Sequence, residues 1–284
     1  MKTLKLTLII QLLAIIITSH ALFASEPPIV GDPENATWEI FANRSQVHTL
    51  LKSDDGKVLW VGTNGGLEKR DAVTGEIIQV FTNLDGLPEN EVTSLVADGS
   101  GGLWIGTGSW ISDVGGLAHL QADGTWEKFS VAVLELTSVA ITSLLLDGNG
   151  GIWIGTSDGL IHLKSDKTGD EFTISNSELP DDWVTSLLSD GTGGIWIGTN
   201  DGLAHFKADG TWEVFGTHNS VLPDQYIDSL LSDGSGGLWI GVGSYNGGLA
   251  HLKSDGTWEI FKDDNSMLPD NRVFTLLSDD NGGV

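Results

Sequence analysis

The chain has no cysteine, so neither a disulfide framework nor a thiol nucleophile can enter an account of it. Basic residues are scarce: 14 Lys and Arg stand against 39 Asp and Glu, a formal charge of −25. That balance excludes nucleic acid and anionic membrane surfaces as partners, because both are held by basic faces. The acidic residues are spread through turns and not gathered in a tail, and they read as a solubilising surface. Long apolar runs are also missing. Residues 6–17, interrupted by Gln11, are too short for a comfortable transmembrane helix, which needs about 20 residues. Neither a serine elbow nor a glycine-rich phosphate loop opening a helix is present.

What the sequence does contain begins with an export signal. Lys2 and Lys5 precede the apolar stretch, and small residues then lead to a cut after Ala24 or Ala21. Residues 1–24 therefore read as a secretory signal peptide, the other reading being an uncleaved anchor. Export is to the periplasm, or else to the cell surface or medium. Residues 25–36, with Pro27, Pro28 and Pro33, read as a short extended linker.

The remainder, residues 37–284, repeats one phrase. Gly193-Gly194-Ile195-Trp196-Ile197-Gly198-Thr199 recurs around Trp60, Trp104, Trp153 and Trp239, at spacings of 44, 49, 43 and 43 residues. A period of about 40–45 residues in units rich in short strands is the signature of propeller blades. Units that cannot bury a face alone must stack, so they form one architecture.

The copy around Trp196 resolves into four strands at 184–188, 195–198, 203–207 and 211–215. Turns rich in Asp and Gly join them into an antiparallel meander. Blades begin near Val47, Val92, Ile141, Val184 and Ile227, and a sixth begins at Val273. The expected fold is an all-β propeller of four-stranded antiparallel blades, five complete and a sixth started. The last residue, Val284, falls one short of the tryptophan that the repeat demands. This predicts a longer native protein, in which Thr37-Trp38-Glu39-Ile40-Phe41 is a lone fourth strand that closes the ring.

The unit "strand, D-G-x-G-G-[IL]-W-I-G-T, short turn, G-L-x-x-[LF]" resembles the two-component regulator propeller repeat, over about residues 37 to 284. The resemblance implies the periplasmic sensor part of a hybrid sensor kinase, or a stand-alone exported propeller. It implies downstream kinase modules or self-association as partners. No kinase signature lies in this chain, so the expectation is a non-enzymatic protein.

Repeated residues read as architecture. His119, His162, His205 and His251 share one position in the third strand, where blade 1 has Lys69, and this predicts a solvent-facing site. Packed sheets sit about 10 Å apart, too far for these imidazoles to share a metal. Asp98, Asp147, Asp190 and Asp233 stand six residues before the tryptophan, where turn chemistry accounts for them. A single Asp among glycines offers calcium too few ligands. Asp181, Asp182, Asp224 and Asp270 also recur before first strands, as shared turn residues. No catalytic residue, metal site or cofactor is assigned.

The informative residues are those that break the repeat. Trp110, Trp183, Tyr226 and Tyr245 are aromatics outside the framework. Strand alternation sends the second-to-third turn and the blade-to-blade connection to one end, so all four are expected on one face. Trp110 lies in residues 108–116 and Tyr245 in residues 243–248, both read as enlarged loops. The residue leading into each first strand is Gln46, Glu91, Ala140, Trp183, Tyr226 or Arg272. Such a varied ring on a rigid scaffold suits recognition. The candidate ligand site is Gln46, Glu91, Trp110, Trp183, Tyr226, Tyr245 and Arg272, for a glycan or a protein partner. The competing reading is that Trp183 and Tyr226 pack between blades. The sequence thus points to an exported sensory or ligand-binding propeller. The alternatives are an adhesive surface propeller and, more remotely, a polysaccharide-cleaving enzyme.

Overall fold

The computed structural model of the chain describes residues 46–109, 112–129, 140–278 and 284. The proposed signal peptide, the linker, the strand expected at residues 37–41 and Trp110 lie outside the described residues. Twenty strands form five four-stranded antiparallel sheets, each pairing its strands in chain order. Blade 1 consists of Val47–Lys52, Val58–Thr63, Gly66–Asp71 and Ile77–Phe81. Blade 2 is Val92–Ala97, Leu103–Ser109, Ser112–Leu120 and Trp126–Phe129, and blade 3 is Ile141–Leu146, Ile152–Thr156, Gly159–Leu163 and Gly169–Phe172. Blade 4 is Val184–Ser189, Ile195–Thr199, Gly202–Phe206 and Trp212–Phe215. Blade 5 is Ile227–Ser232, Leu238–Val242, Gly248–Leu252 and Trp258–Phe261. The fold is the expected all-β propeller.

Successive side chains of a strand point to opposite faces, and here both faces are buried. In blade 4, Ile195 and Ile197 join Trp153 and Leu160 of blade 3 in one core, while Trp196 packs with Ile227 and Ile240 of blade 5 in the next. Four such cores exist, each shared by two neighbouring blades. A blade alone would leave both faces wet. At the rim the pattern continues edge-on: Phe81 meets Trp126, Phe172 meets Trp212 and Phe215 meets Trp258, with ring centroids 5.6–5.8 Å apart.

The innermost strands carry a feature the hydropathy pattern hides. Val184 pairs with Thr199, but the next pair is Ser186 with Gly198, leaving Thr185 in a bulge. The same irregularity isolates His48, Thr93, Thr142 and Asp228. A bulge re-aims the extra side chain. In three blades the result is a clasp: Thr93 Oγ1 donates to the Ile141 carbonyl at 2.5 Å and Thr142 Oγ1 to Val184 at 2.6 Å, and Thr185 Oγ1 donates to Ile227.

One expectation is corrected. Residues 108–109 and 112–116 are strand and not loop. The second and third strands of blade 2 continue past the framework, pairing Gly108 with Gly115 and Ser109 with Ser112, into a lengthened hairpin. Its main-chain groups satisfy one another where a loop would leave them to water. Residues 273–278 join no ladder. The Val273 amide donates to the Val242 carbonyl, but no strand lies beside this stretch to pair with it among the described residues.

Candidate functional site

The end of the blades that carries the turn between first and second strands is built the same way four times. Asp98, Asp147, Asp190 and Asp233 each accept two backbone amides with Oδ1 (Thr192 and Gly194 at 2.7 and 2.8 Å for Asp190). The Oδ2 of each lies 2.9 Å from Nε2 of His119, His162, His205 or His251. Each imidazole in turn stacks on the framework tryptophan of its own blade, with centroids 3.9–4.2 Å apart and planes within 13°.

These histidines are therefore not solvent-facing, as their spacing suggested. Their side chains are only 13–19 % exposed. Burial pushes the Asp98 and Asp233 carboxyls up, and the histidine and amide hydrogen bonds outweigh it, holding both at about 2. Asp147 and Asp190 move the same way for the same reasons. Blade 1 has no such stack: Asp54 stands six residues before Trp60, but Ser53 takes the turn position and its Oγ accepts from the Val58 amide, while Lys69 Nζ lies 5.4 Å from the Trp60 centroid. This end holds the blades in shape.

The opposite end is where the blades differ. In blades 1 to 5 the backbone carbonyl of the lead-in residue accepts from an amide at or just past the end of the second strand: Gln46 from Asn64, Glu91 from Gly108, Ala140 from Ser157, Trp183 from Asn200 and Tyr226 from Gly243. These bonds fix the lead-in side chains beside the second-to-third turns, on one face. Trp183 is 36 % exposed, Tyr226 47 % and Tyr245 80 %.

Three clusters form on this face. In the first, His48 Nε2 lies 2.8 Å from Asn64 Oδ1, Asn64 Nδ2 donates to Gln46 Oε1 at 2.9 Å, and Glu91 Oε1 sits 3.8 Å from His48. In the second, Trp183 stands alone above its turn, its amide capped by Asp181. In the third, the Arg272 guanidinium lies 4.8 Å from the Tyr245 ring centroid and pairs with Asp270 through two bonds of 3.0 and 3.1 Å. Here Ser244 also donates to Asp224. The structure thus joins Gln46 to Glu91, and Tyr245 to Arg272, and leaves Trp183 apart from both.

Sequence reasoning missed the bulge residues two places further on. Thr93, Thr142 and Thr185 are consumed in clasps, but His48 and Asp228 occupy the same position without one. The signal was available: T-S-L opens three blades, H-T-L and D-S-L the other two. Among the described residues no group of three or more His, Cys, Asp or Glu could hold a metal.

The two component regulator propeller family matches at residues 86–109, 135–158 and 178–201. No curated protein matches the sequence. Among solved structures, the chain is similar to the extracellular domain assigned to one component system BT4673 of B. thetaiotaomicron, at 22% identity and a TM-score of 0.65, covering 90% of this chain and 32% of that one. The extracellular domain assigned to hybrid two component system BT3049 of B. thetaiotaomicron matches at 22% identity and 0.63, over 79% and 30%. A streptogramin B lyase matches at 17% identity and 0.61, over 81% and 72%. At these identities the likeness is one of fold. The chain spans about a third of the length of the two extracellular domains.

Proposed function

We propose that this chain, whose repeats are two component regulator propeller repeats, is the exported sensory propeller of a two-component signalling system. In this reading it recognises a ligand on the face that carries the lead-in residues. One observation carries the reading. The blades are uniform at one end, where Asp, His and Trp recur, and individual at the other, where every lead-in side chain differs. A scaffold has no structural need for that variety, and recognition does.

Trp183, Tyr226 and Tyr245 offer apolar faces, and Gln46, Glu91 and Arg272 offer donors and acceptors, a mixture suited to a glycan. The similar extracellular domains assigned to signalling systems support an exported sensor that passes its signal to further modules. Binding of a complex glycan panel tests the proposal, comparing wild type with Trp183→Ala plus Tyr226→Ala. Loss of binding by at least tenfold in a folded double variant is expected. Binding that is unchanged moves the site elsewhere. A panel that binds neither protein overturns the glycan class and leaves the protein partner to be sought.

A further inference from the structure

The gaps between neighbouring blades are lined by corresponding residues, and one side chain decides whether a gap is open. Between blades 4 and 5, Trp196, Phe215, Trp258 and Leu252 border an open cavity of about 310 Å³. Between blades 3 and 4 the corresponding aromatics are Trp153, Phe172 and Trp212, and Phe206 stands in the place of Leu252. The Phe206 ring sits among all three, with centroids 5.8, 5.4 and 4.7 Å away. It fills its gap, and Trp153 beside it is buried, whereas Trp196 beside the open gap is only half-buried. The gap between blades 2 and 3 has Leu163 at this place, and there too a cavity opens beside the framework tryptophan, Trp104, of about 150 Å³. That gap lacks the third aromatic, since Gly169 stands where the other two have a tryptophan.

We propose that the gap between blades 4 and 5 is a binding site for a small aromatic carboxylate. The ligand ring enters where Phe206 sits in the neighbouring gap, and its carboxylate meets Lys207 and Lys253. Aromatic rings favour tilted or edge-on partners at about 4.5–7 Å, and Phe206 shows that these walls provide them. An apolar cavity of about 150 Å³ accepts a benzene ring, so the larger gap has room for a bicyclic one. Charge sets the rest of the class. In a chain of formal charge −25, this cavity is lined by two lysines and one carboxylate, Lys207, Lys253 and Glu213. Lys207 pairs with Glu213 at 2.9 Å and Lys253 with Glu259 at 2.5 Å. Both pairs are solvent-exposed, and such pairs are weak; an ammonium has three donors, so a ligand carboxylate can share it. The cavity lies at the end of the blades that carries the Asp–His–Trp stacks, so the proposal is independent of recognition at the lead-in face.

Binding of naphthoate to the full chain tests this, read by equilibrium dialysis and by the assigned tryptophan indole N–H signals in NMR. The Trp196 and Trp258 signals are expected to move saturably. Leu252→Phe gives this gap the side chain that already closes its neighbour, and should weaken binding at least tenfold. Lys207→Ala plus Lys253→Ala should weaken it severalfold. Naphthylmethylamine, a cation with the same ring, should bind at least tenfold more weakly than naphthoate. Phe206→Leu guards against a plugged variant that fails to fold: it should open the gap between blades 3 and 4 and bring the Trp153 signal into the response. Still Trp196 and Trp258 signals in the wild-type chain overturn the site. So does unchanged binding in a folded Leu252→Phe chain, or a Trp153 signal that ignores naphthoate in Phe206→Leu. Equal binding of the amine overturns the anionic class.

Discussion

The two ends of each blade obey different rules. At the Asp–His–Trp end, four blades repeat one hydrogen-bonded stack, and blade 1 has Ser53 and Lys69 at the two places instead. At the lead-in end no two neighbouring blades agree. The first end teaches what a blade requires to exist, and the second what it can vary once it does. An aspartate at one end is a strut with two amides and an imidazole; an aspartate at the other, Asp228, lies against Gly243 with a carboxylate oxygen where a larger residue's Cβ would sit.

The sharpest way to break the comparison is to remove a strut. Asp190→Ala strands His205 and the amides of Thr192 and Gly194, and is expected to cost about 2–3 kcal/mol in chemical denaturation, as for other buried polar groups left unpaired. Gly243→Ala should come next, at about 1–3 kcal/mol for overpacking, and Asp228→Gly in the same chain should recover most of the loss. If Gly243→Ala is neutral, Asp228 does not fill that space. Thr142→Val removes one clasp and should cost about 1 kcal/mol, the net worth of a typical hydrogen bond. Lys69→Ala removes the cation over Trp60 and is expected to cost about 0.5–1 kcal/mol.

Acid titration separates the two ends by sign. The lowered carboxyls of Asp98, Asp147, Asp190 and Asp233 contribute stability that is present above the usual 3.8 and lost as pH falls through their lowered values, about 2 for Asp98 and Asp233. The raised carboxyl of Asp228 does the opposite: its contribution is complete below 3.8 and lost as pH rises through its raised value. Thermal unfolding of Asp228→Asn should therefore gain on wild type as pH rises from 3 to 7. Asp233→Asn should lose ground over the same range. Parallel slopes for the two variants would contradict the assignment.

The blades were legible in the sequence because tryptophan, isoleucine and glycine recur at fixed intervals and each strand alternates its apolar residues. The bulges were not, because an extra residue in a ladder leaves the composition of T-S-L unchanged and shows only when partners are counted. His205 and Asp190 lie 15 residues apart and meet only because the second strand lies between their elements. Blade 1 left no trace of that pairing, because it keeps Asp54 six residues before Trp60 although Lys69 replaces the histidine. Residues 108–116 misled because length alone cannot tell a loop from strands that run on. The placement of Gln46 beside Glu91 followed from strand direction; the link through His48 and Asn64 did not, since it depends on where the bulge turns His48.

The clasps joining the blades reach from a threonine hydroxyl to a main-chain carbonyl, never to a side chain of the next blade. Such a joint makes no demand on its neighbour's sequence beyond a peptide group at the right height. A blade can then be copied in tandem, exchanged or moved along the gene, and the newcomer is gripped from its first generation. Divergence is left free to proceed at the lead-in positions, which is where these five copies have parted most.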